Sequence, residues 1–257
     1  MISNVFHAGF YNPIYNLLVF LVSALPHGDV GLAVVLITIV IKVILLPFSL
    51  AASRSTRAMK NLEPKLKEIK EIHKDDKEAQ AVKTMELYRT EKVNPFAGII
   101  TLFVQMPVLF ALYFVFRYEP FPTINTHILY SFTPVPHAIS LLFLGLIAVA
   151  GHSLVLAILA GIAQYFQVSI TLPKPEKKKK GEKDGTPSTQ EDFSRIIAMQ
   201  ARYLVPVLVG TVAYSTSGAV ALYFITSGVV GVVQELYVRK QFRTALAETH
   251  IKPEAAV

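Results

Sequence analysis

The sequence predicts an all-α polytopic membrane protein: five transmembrane helices, an N-terminal interfacial helix and a cytoplasmic helical hairpin. Three observations carry this. Several uncharged runs exceed 18 residues, the length at which an apolar stretch reads as a bilayer span. Basic residues are gathered into blocks, so that 23 of 25 Lys/Arg fall in three segments. The first full-length span, Val30 to Ala52, carries Lys42 near its middle.

At about 1.5 Å per residue, Lys42 lies about 18 Å from one end of that span and about 15 Å from the other. Its stem is too short to reach water easily from there. An ammonium at the bilayer centre costs about 2.5 to 3.5 kcal/mol on insertion scales, so a charge kept there asks for a function. Thr38, Ser49 and Ser53 lie near the same helical face as Lys42, at offsets of four, seven and eleven residues. This polar stripe implies a water-filled cavity or a polar neighbour inside the membrane. The bland alternative is a lysine snorkelling beside thinned lipid. Pro47 removes a backbone donor and can kink the span.

Residues 1–29 form the N-terminal segment, in which Tyr11 to Leu25 is apolar, uncharged and short for a span. It reads as a helix lying in the interface, with a short sixth span as the alternative. The N-terminus lacks a basic n-region, so no cleaved signal peptide is expected. After the first span, 30–52, residues 53–95 are charged. Leu62, Leu66, Ile69 and Ile72 recur at helical spacing, and Lys74-Asp75-Asp76-Lys77 makes a turn before a second periodic stretch holding Met85, Leu87 and Tyr88. The pattern predicts an antiparallel helical hairpin, either a solvated linker or a docking surface.

The second span, 96–116, has Gln105-Met106-Pro107 at its centre, and the Gln105 amide needs a partner there. That partner is another helix or the cavity holding Lys42. From Phe121 to Pro173 there is no Asp, Glu, Lys or Arg. Within it, 117–151 reads as an extracytoplasmic loop ending in a short apolar helix, Ala138 to Ala150, that dips into the interface. The third span is 152–172. Residues 173–202 form a basic loop whose part from Pro173 to Asp192, with Lys177 to Lys180, has a disordered composition suited to anionic lipid. Spans four and five, 203–217 and 218–238, are each a few ångströms short of a ~30 Å hydrocarbon core. A tail follows at 239–257. With five spans the hairpin, basic loop and tail share one side, which the positive-inside rule makes cytoplasmic, leaving the N-terminus outside.

The chain has no cysteine, which excludes disulfides, thiol chemistry and thiolate metal sites. His127, His137 and His152 lack the spacing of a zinc site, and neither a nucleophile–base arrangement nor a phosphate loop occurs. No cofactor, metal or specific nucleic acid is expected.

The segments TIVIKVILLP, MKNLEPKLKEIK, LYRTEKVNPFAGIITLFVQMPVLFALYFVF and SGAVALYFITSGVVGVVQELYVRKQF resemble, in order and spacing, the YidC/Oxa/Alb family of membrane protein insertases. The resemblance runs from about Tyr11 to Phe242 and is to a short form without the large extracytoplasmic domain. It implies a five-helix core enclosing a hydrophilic groove in the bacterial plasma membrane. Lys42 then matches a basic groove residue that is usually arginine, a change that keeps the charge and loses the planar fork. Thr38 and Gln105 match groove-lining positions, and Tyr223 with Phe224 matches an aromatic pair that meets substrate. Glu63, Pro64, Asp75, Asp76 and Tyr88 fall in the matching hairpin, which is needed for insertion. The implied partners are nascent membrane proteins, the ribosome, the signal recognition particle pathway, the Sec translocon and anionic lipids. The short tail makes strong ribosome tethering through it doubtful.

A reading from another class is a small ion or solute transporter with Lys42 as counter-ion. Transporters often carry repeated halves, and no internal repeat is visible. An intramembrane enzyme would need a catalytic constellation, and none is present.

Overall fold

The computed structural model describes the backbone of residues 2–94, 97–171 and 189–251, and the side chains of 4–59, 61–94, 105–171, 200 and 202–241. In chain order the helices are α1 (Ile2–Phe6), α2 (Asn12–Ala24), α3 (Val30–Ile44), α4 (Leu46–Asn61), α5 (Glu63–Ile72), α6 (Lys77–Thr90), α7 (Ala97–Tyr118), α8 (Leu154–Thr171), α9 (Thr189–Ser215) and α10 (Gly218–Ile251). Two strands, β1 (Leu142–Phe143) and β2 (Ile147–Ala148), pair antiparallel between α7 and α8. Phe96 and the Lys177–Lys180 run lie outside the described residues. The expected loop to Asp192 ends sooner, because α9 already begins at Thr189.

The fold divides into two compact units. The first comprises Met1–Ile44 and Met106–Val233, the second Leu45–Gln105 and Gln234–Val257.

The first unit is built on helical stripes. From Tyr11, just ahead of α2, through Ile14, Tyr15, Leu18, Val19 and Val22 on it, buried residues recur at the 3.6-residue period. On α3 the buried stripe is Val30, Ala33, Val34, Ile37 and Thr38, while Ile39, Val40, Val43 and Ile44 face outward. From α7 come Val108, Ala111, Leu112 and Val115, and from the start of α10 come Ala219, Leu222 and Tyr223, all in one core cluster. α8 and α9 touch through small residues. A Cβ on Gly161 would stand 3.3 Å from the Pro206 carbonyl, and one on Gly210 3.4 Å from that of Ala157, the close backbone approach typical of helices packed in lipid.

Two sequence expectations change in this unit. The N-terminal helix starts well before Tyr11. A π-helical turn, His7–Tyr11, joins α1 to α2, because Pro13 has no N–H to give to the Gly9 carbonyl. Asn4–Ala24 is thereby 21 residues long and, by length and composition, apolar enough to cross a membrane. Second, Ala138–Ala150 is not a helix but the hairpin β1–β2. Gly145 at φ 73 turns the chain between two strands whose residues alternate in burial, a period of two that an apolar run on both faces does not display.

The segment between α7 and β1 is fastened to α2 by one buried amide. Asn16 donates to the Asn12 and Ile128 carbonyls, both at 2.8 Å, and its oxygen accepts from the Tyr130 N–H at 2.6 Å and the Thr133 hydroxyl at 3.0 Å. Tyr11 donates to Glu119 at 3.3 Å, and the Tyr15 hydroxyl accepts the Asn125 N–H at 2.8 Å.

In the second unit, α5 and α6 form the expected antiparallel hairpin. Asp76 caps α6 by accepting from the Glu78 and Ala79 N–H groups at 3.0 and 2.9 Å. At the base, the Ser55 hydroxyl donates to the Asn94 carbonyl at 2.7 Å and accepts its N–H at 2.9 Å. Lys65 and Glu91 bridge the two arms at 2.5 Å. Leu62 and Val93 are buried, whereas Ile72 near the tip is exposed.

Among the described residues three helical stretches are long and apolar enough to cross a membrane: Asn4–Ala24, Leu154–Thr171 and Gly218–Gln241. There are up to four if α3 and α4, broken at Leu45, make one span. The break falls two residues before Pro47, whose ring clashes with the turn ahead of it and leaves the Val43 carbonyl without its helical donor.

Candidate groove residues and the hairpin

Lys42 stands in the last turn of α3, four residues beyond Thr38 on the inward-facing stripe. The core layer above it is closed: Thr38 is 1% exposed and donates to the Val34 carbonyl of its own helix at 2.6 Å. Thr38 is therefore a satisfied core hydroxyl. Lys42 itself is half-buried and, among the described residues, has neither a carboxylate nor a hydrogen-bond acceptor within reach. Its place in the last turn of α3 suits a cation, because the helix dipole is negative at that end.

Tyr223 and Phe224 lie on α10 in the same unit, their rings meeting edge to face with centroids 5.4 Å apart. Tyr223 is buried in the core cluster and Phe224 is half-buried against it. The first unit thus holds Lys42, Thr38, Tyr223 and Phe224. Gln105 belongs to the second.

Ser49 and Ser53, expected on the Lys42 face, are engaged elsewhere. The Ser49 hydroxyl and the Gln234 amide hydrogen-bond one another at 2.6 and 2.9 Å, and the same amide reaches Ser53 at 3.5 Å. One turn on, Arg57 pairs with the buried Glu235, and Arg54 donates to Gln241 at 3.2 Å. These residues make an α4–α10 polar seam within the second unit. The sequence carried one signal of it, since Glu235 is the sole carboxylate between Tyr203 and Val238. Asp29 gives a similar signal as the lone acid before Glu63, and it caps α3 through the Leu32 N–H at 2.9 Å.

On the hairpin, Glu63 and Pro64 occupy the first turn of α5, where a carboxylate suits the helix dipole and proline loses no needed donor. Asp75 is exposed in the turn beside the capping Asp76. Tyr88 is half-buried, and that burial pushes its phenol above the ordinary tyrosine value.

Helices of this length and apolarity, in a chain that also carries a charged two-helix hairpin, define an all-α, multi-span membrane protein. The family model of the 60Kd inner membrane protein matches residues 21–245, and the chain belongs to that family, the YidC/Oxa insertases. It is 30% identical over 233 residues to the membrane protein insertase YidC of Fusobacterium nucleatum, covering 90% of this chain and 97% of that protein. It is 27% identical over 221 residues to YidC of Geobacter sulfurreducens and 28% identical over 251 residues to YidC of Coxiella burnetii. Those two are longer proteins, of which the chain spans 36% and 37%.

Proposed function

We propose that this protein inserts nascent single- and double-span proteins into the bilayer through a hydrophilic intramembrane groove and assists their folding. The observation that carries this is Lys42, a cation on the inner face of an apolar helix with no carboxylate beside it among the described residues. A nascent segment must carry its polar flank across hydrocarbon, where unsatisfied backbone groups and charges cost several kcal/mol each. A wet, positively charged recess lowers that cost and attracts acidic flanks. Phe224, half-buried and backed by the buried Tyr223, then offers an aromatic edge along which the incoming helix passes to lipid.

In this reading five spans form the core, with the N-terminus outside and the hairpin, basic loop and tail in the cytoplasm of a bacterium. The hairpin receives clients from the ribosome, the signal recognition particle pathway or the Sec translocon, and the lysine loop meets anionic lipid. No covalent step is involved.

The test is reconstitution of the full chain in vesicles, scoring insertion of a small single-span protein against solute flux. Insertion without flux supports the proposal; flux without insertion favours a transporter with Lys42 as counter-ion. For topology, single labels at Asp76 and Gly185 should react only from the cytoplasmic face and a label at Thr126 only from the other. Reaction of Gly185 from outside would overturn the five-span arrangement.

A further inference from the structure

The β1–β2 hairpin turns in an unusual way. Its loop is closed by the Leu146 N–H donating to the Phe143 carbonyl at 2.9 Å, and both central residues, Leu144 (φ 51) and Gly145 (φ 73), are left-handed. Turns of this kind select Asn or Gly at such positions, because a side chain there crowds the backbone. A leucine in the first of them is a strained choice, and a strained residue that persists is a pointer to function.

The faces of the hairpin say what that function is. Phe143 and Ile147 pack against the core cluster, while Leu142, Leu144 and Leu146 point away from it, Leu144 at 59% and Leu146 at 81% exposure. A sheet with one face in water alternates apolar inward and polar outward. Here the outward positions are Leu142, Leu144, Leu146 and Ala148, all apolar.

The tip is also held firmly. The Leu144 N–H donates to Asp29 at 2.7 Å, and the other oxygen of Asp29 caps α3. Phe143 lies so close over Gly31 that a Cβ there would stand 2.7 Å from it. Behind the hairpin, the Val149 and Gly151 carbonyls accept the Ala219 and Gly218 N–H groups that open α10, at 3.0 and 2.9 Å. The leucines are therefore presented at a fixed height, level with the ends of two apolar helices.

We propose that Leu142, Leu144 and Leu146 are buried in the acyl chains of the adjoining leaflet, making this hairpin a rigid lipid wedge that sets the depth of the first unit. Two observations select lipid over other occupants. No charged residue occurs between Phe121 and Pro173, so nothing in the segment steers a protein partner. The hairpin also leads within eight residues into α8, whose Leu154, Val155, Ile158 and Phe166 form an exposed apolar face long enough to lie along a bilayer, so the tip continues a lipid-facing surface. The wedge rests on the chain being a membrane protein and not on what it inserts.

The absence of cysteine allows single-site labels without background. The full chain would be reconstituted in phosphatidylethanolamine–phosphatidylglycerol vesicles, with and without brominated acyl chains, carrying an environment-sensitive fluorophore on L144C, L146C or the control T126C. The expected result is blue-shifted emission at 144 and 146, quenched by bromolipid and resistant to iodide, with the reverse at 126. Iodide quenching of 144 and 146 equal to that of 126 would overturn the proposal. So would protection from iodide without bromolipid quenching, the signature of a second copy or a client chain over the tip. A further variant, L142S/L144N/L146S, suits the turn, since Asn tolerates the left-handed region. A label on A148C should lose its bromolipid quenching in that background, and retained quenching would show that the leucines do not drive insertion.

Discussion

Arg57 donates to Glu235, 178 residues away in the chain, and the carboxylate of this pair is almost wholly buried. The pair stands at the end of the seam begun by Ser49 and Gln234, so α4 and the end of α10 are joined by polar contacts rather than by side-chain packing alone. The Arg57 Nε has no acceptor, so the contact is not a two-pronged fork. Removing one partner strands the other. Glu235→Ala should cost about 3 kcal/mol, the lower end of the range for broken buried pairs because Arg57 is partly exposed. The double change Arg57→Met with Glu235→Leu should recover most of it. Thermal unfolding in detergent reads both, and a double variant no more stable than Glu235→Ala would show that the pair's charge is not what matters.

Gly28 makes a second sharp prediction. Its φ is +64, and a Cβ would stand 1.9 Å from the Ala138 carbonyl oxygen. Gly28→Ala combines left-handed strain, about 1 to 2 kcal/mol, with a clash against backbone that cannot yield locally. It should free the strap between Gly28 and Ser140, seen as faster hydrogen exchange at the Val30 and Ser140 amides. Gly145→Ala shares the left-handed φ and meets nothing within 4 Å, so only the strain should appear. Equal effects of the two would disprove the steric argument.

Charge at position 42 can be varied in steps. Lys42→Arg should keep insertion activity, since the positive charge remains. Lys42→Ala should slow insertion of clients with acidic translocated flanks, and Lys42→Glu should slow it further by like-charge repulsion. Insertion of such clients at the unaltered rate by Lys42→Ala would remove the electrostatic role.

Two neighbouring aspartates test the hairpin. Asp76→Ala loses the α6 cap, worth about 1 kcal/mol, and should raise exchange at the Glu78 and Ala79 amides. Asp75→Ala should leave those amides as they are. Deleting 63–92 should abolish insertion at matched membrane levels, whereas glutamine at Lys177–Lys180 should weaken only salt-sensitive attachment to anionic lipid. A silent hairpin deletion would reverse these assignments.

Periodicity made much of the fold legible. The stripes of α2, α3 and α7 follow from apolar residues three and four apart, and the turn before α6 from Lys74-Asp75-Asp76-Lys77. Partnership was not legible. Ser49 and Ser53 shared a nominal face with Lys42, but the chain breaks at Leu45, and their acceptor and donor is Gln234, 185 and 181 residues on. Thr38 read as a groove hydroxyl because sequence spacing cannot show a back-bond to Val34. The Ala138–Ala150 stretch read as helix because the hairpin is apolar on both faces and so shows no alternation, although Gly145 marked the turn. Asn16 passed as one polar residue in an apolar run, while three of its four hydrogen bonds reach a loop more than a hundred positions away.

The bonds from Gly218 and Ala219 to the carbonyls of Gly151 and Val149 make that end of α10 a fulcrum. At about 1.5 Å per residue, Val233 lies about 22 Å along the rod, and a tilt of about 5° would carry it about 2 Å. Tyr223, five residues from the fulcrum, would travel about a third as far. Any tilt of the helix within this unit therefore leaves Tyr223, buried beside the fulcrum, almost stationary.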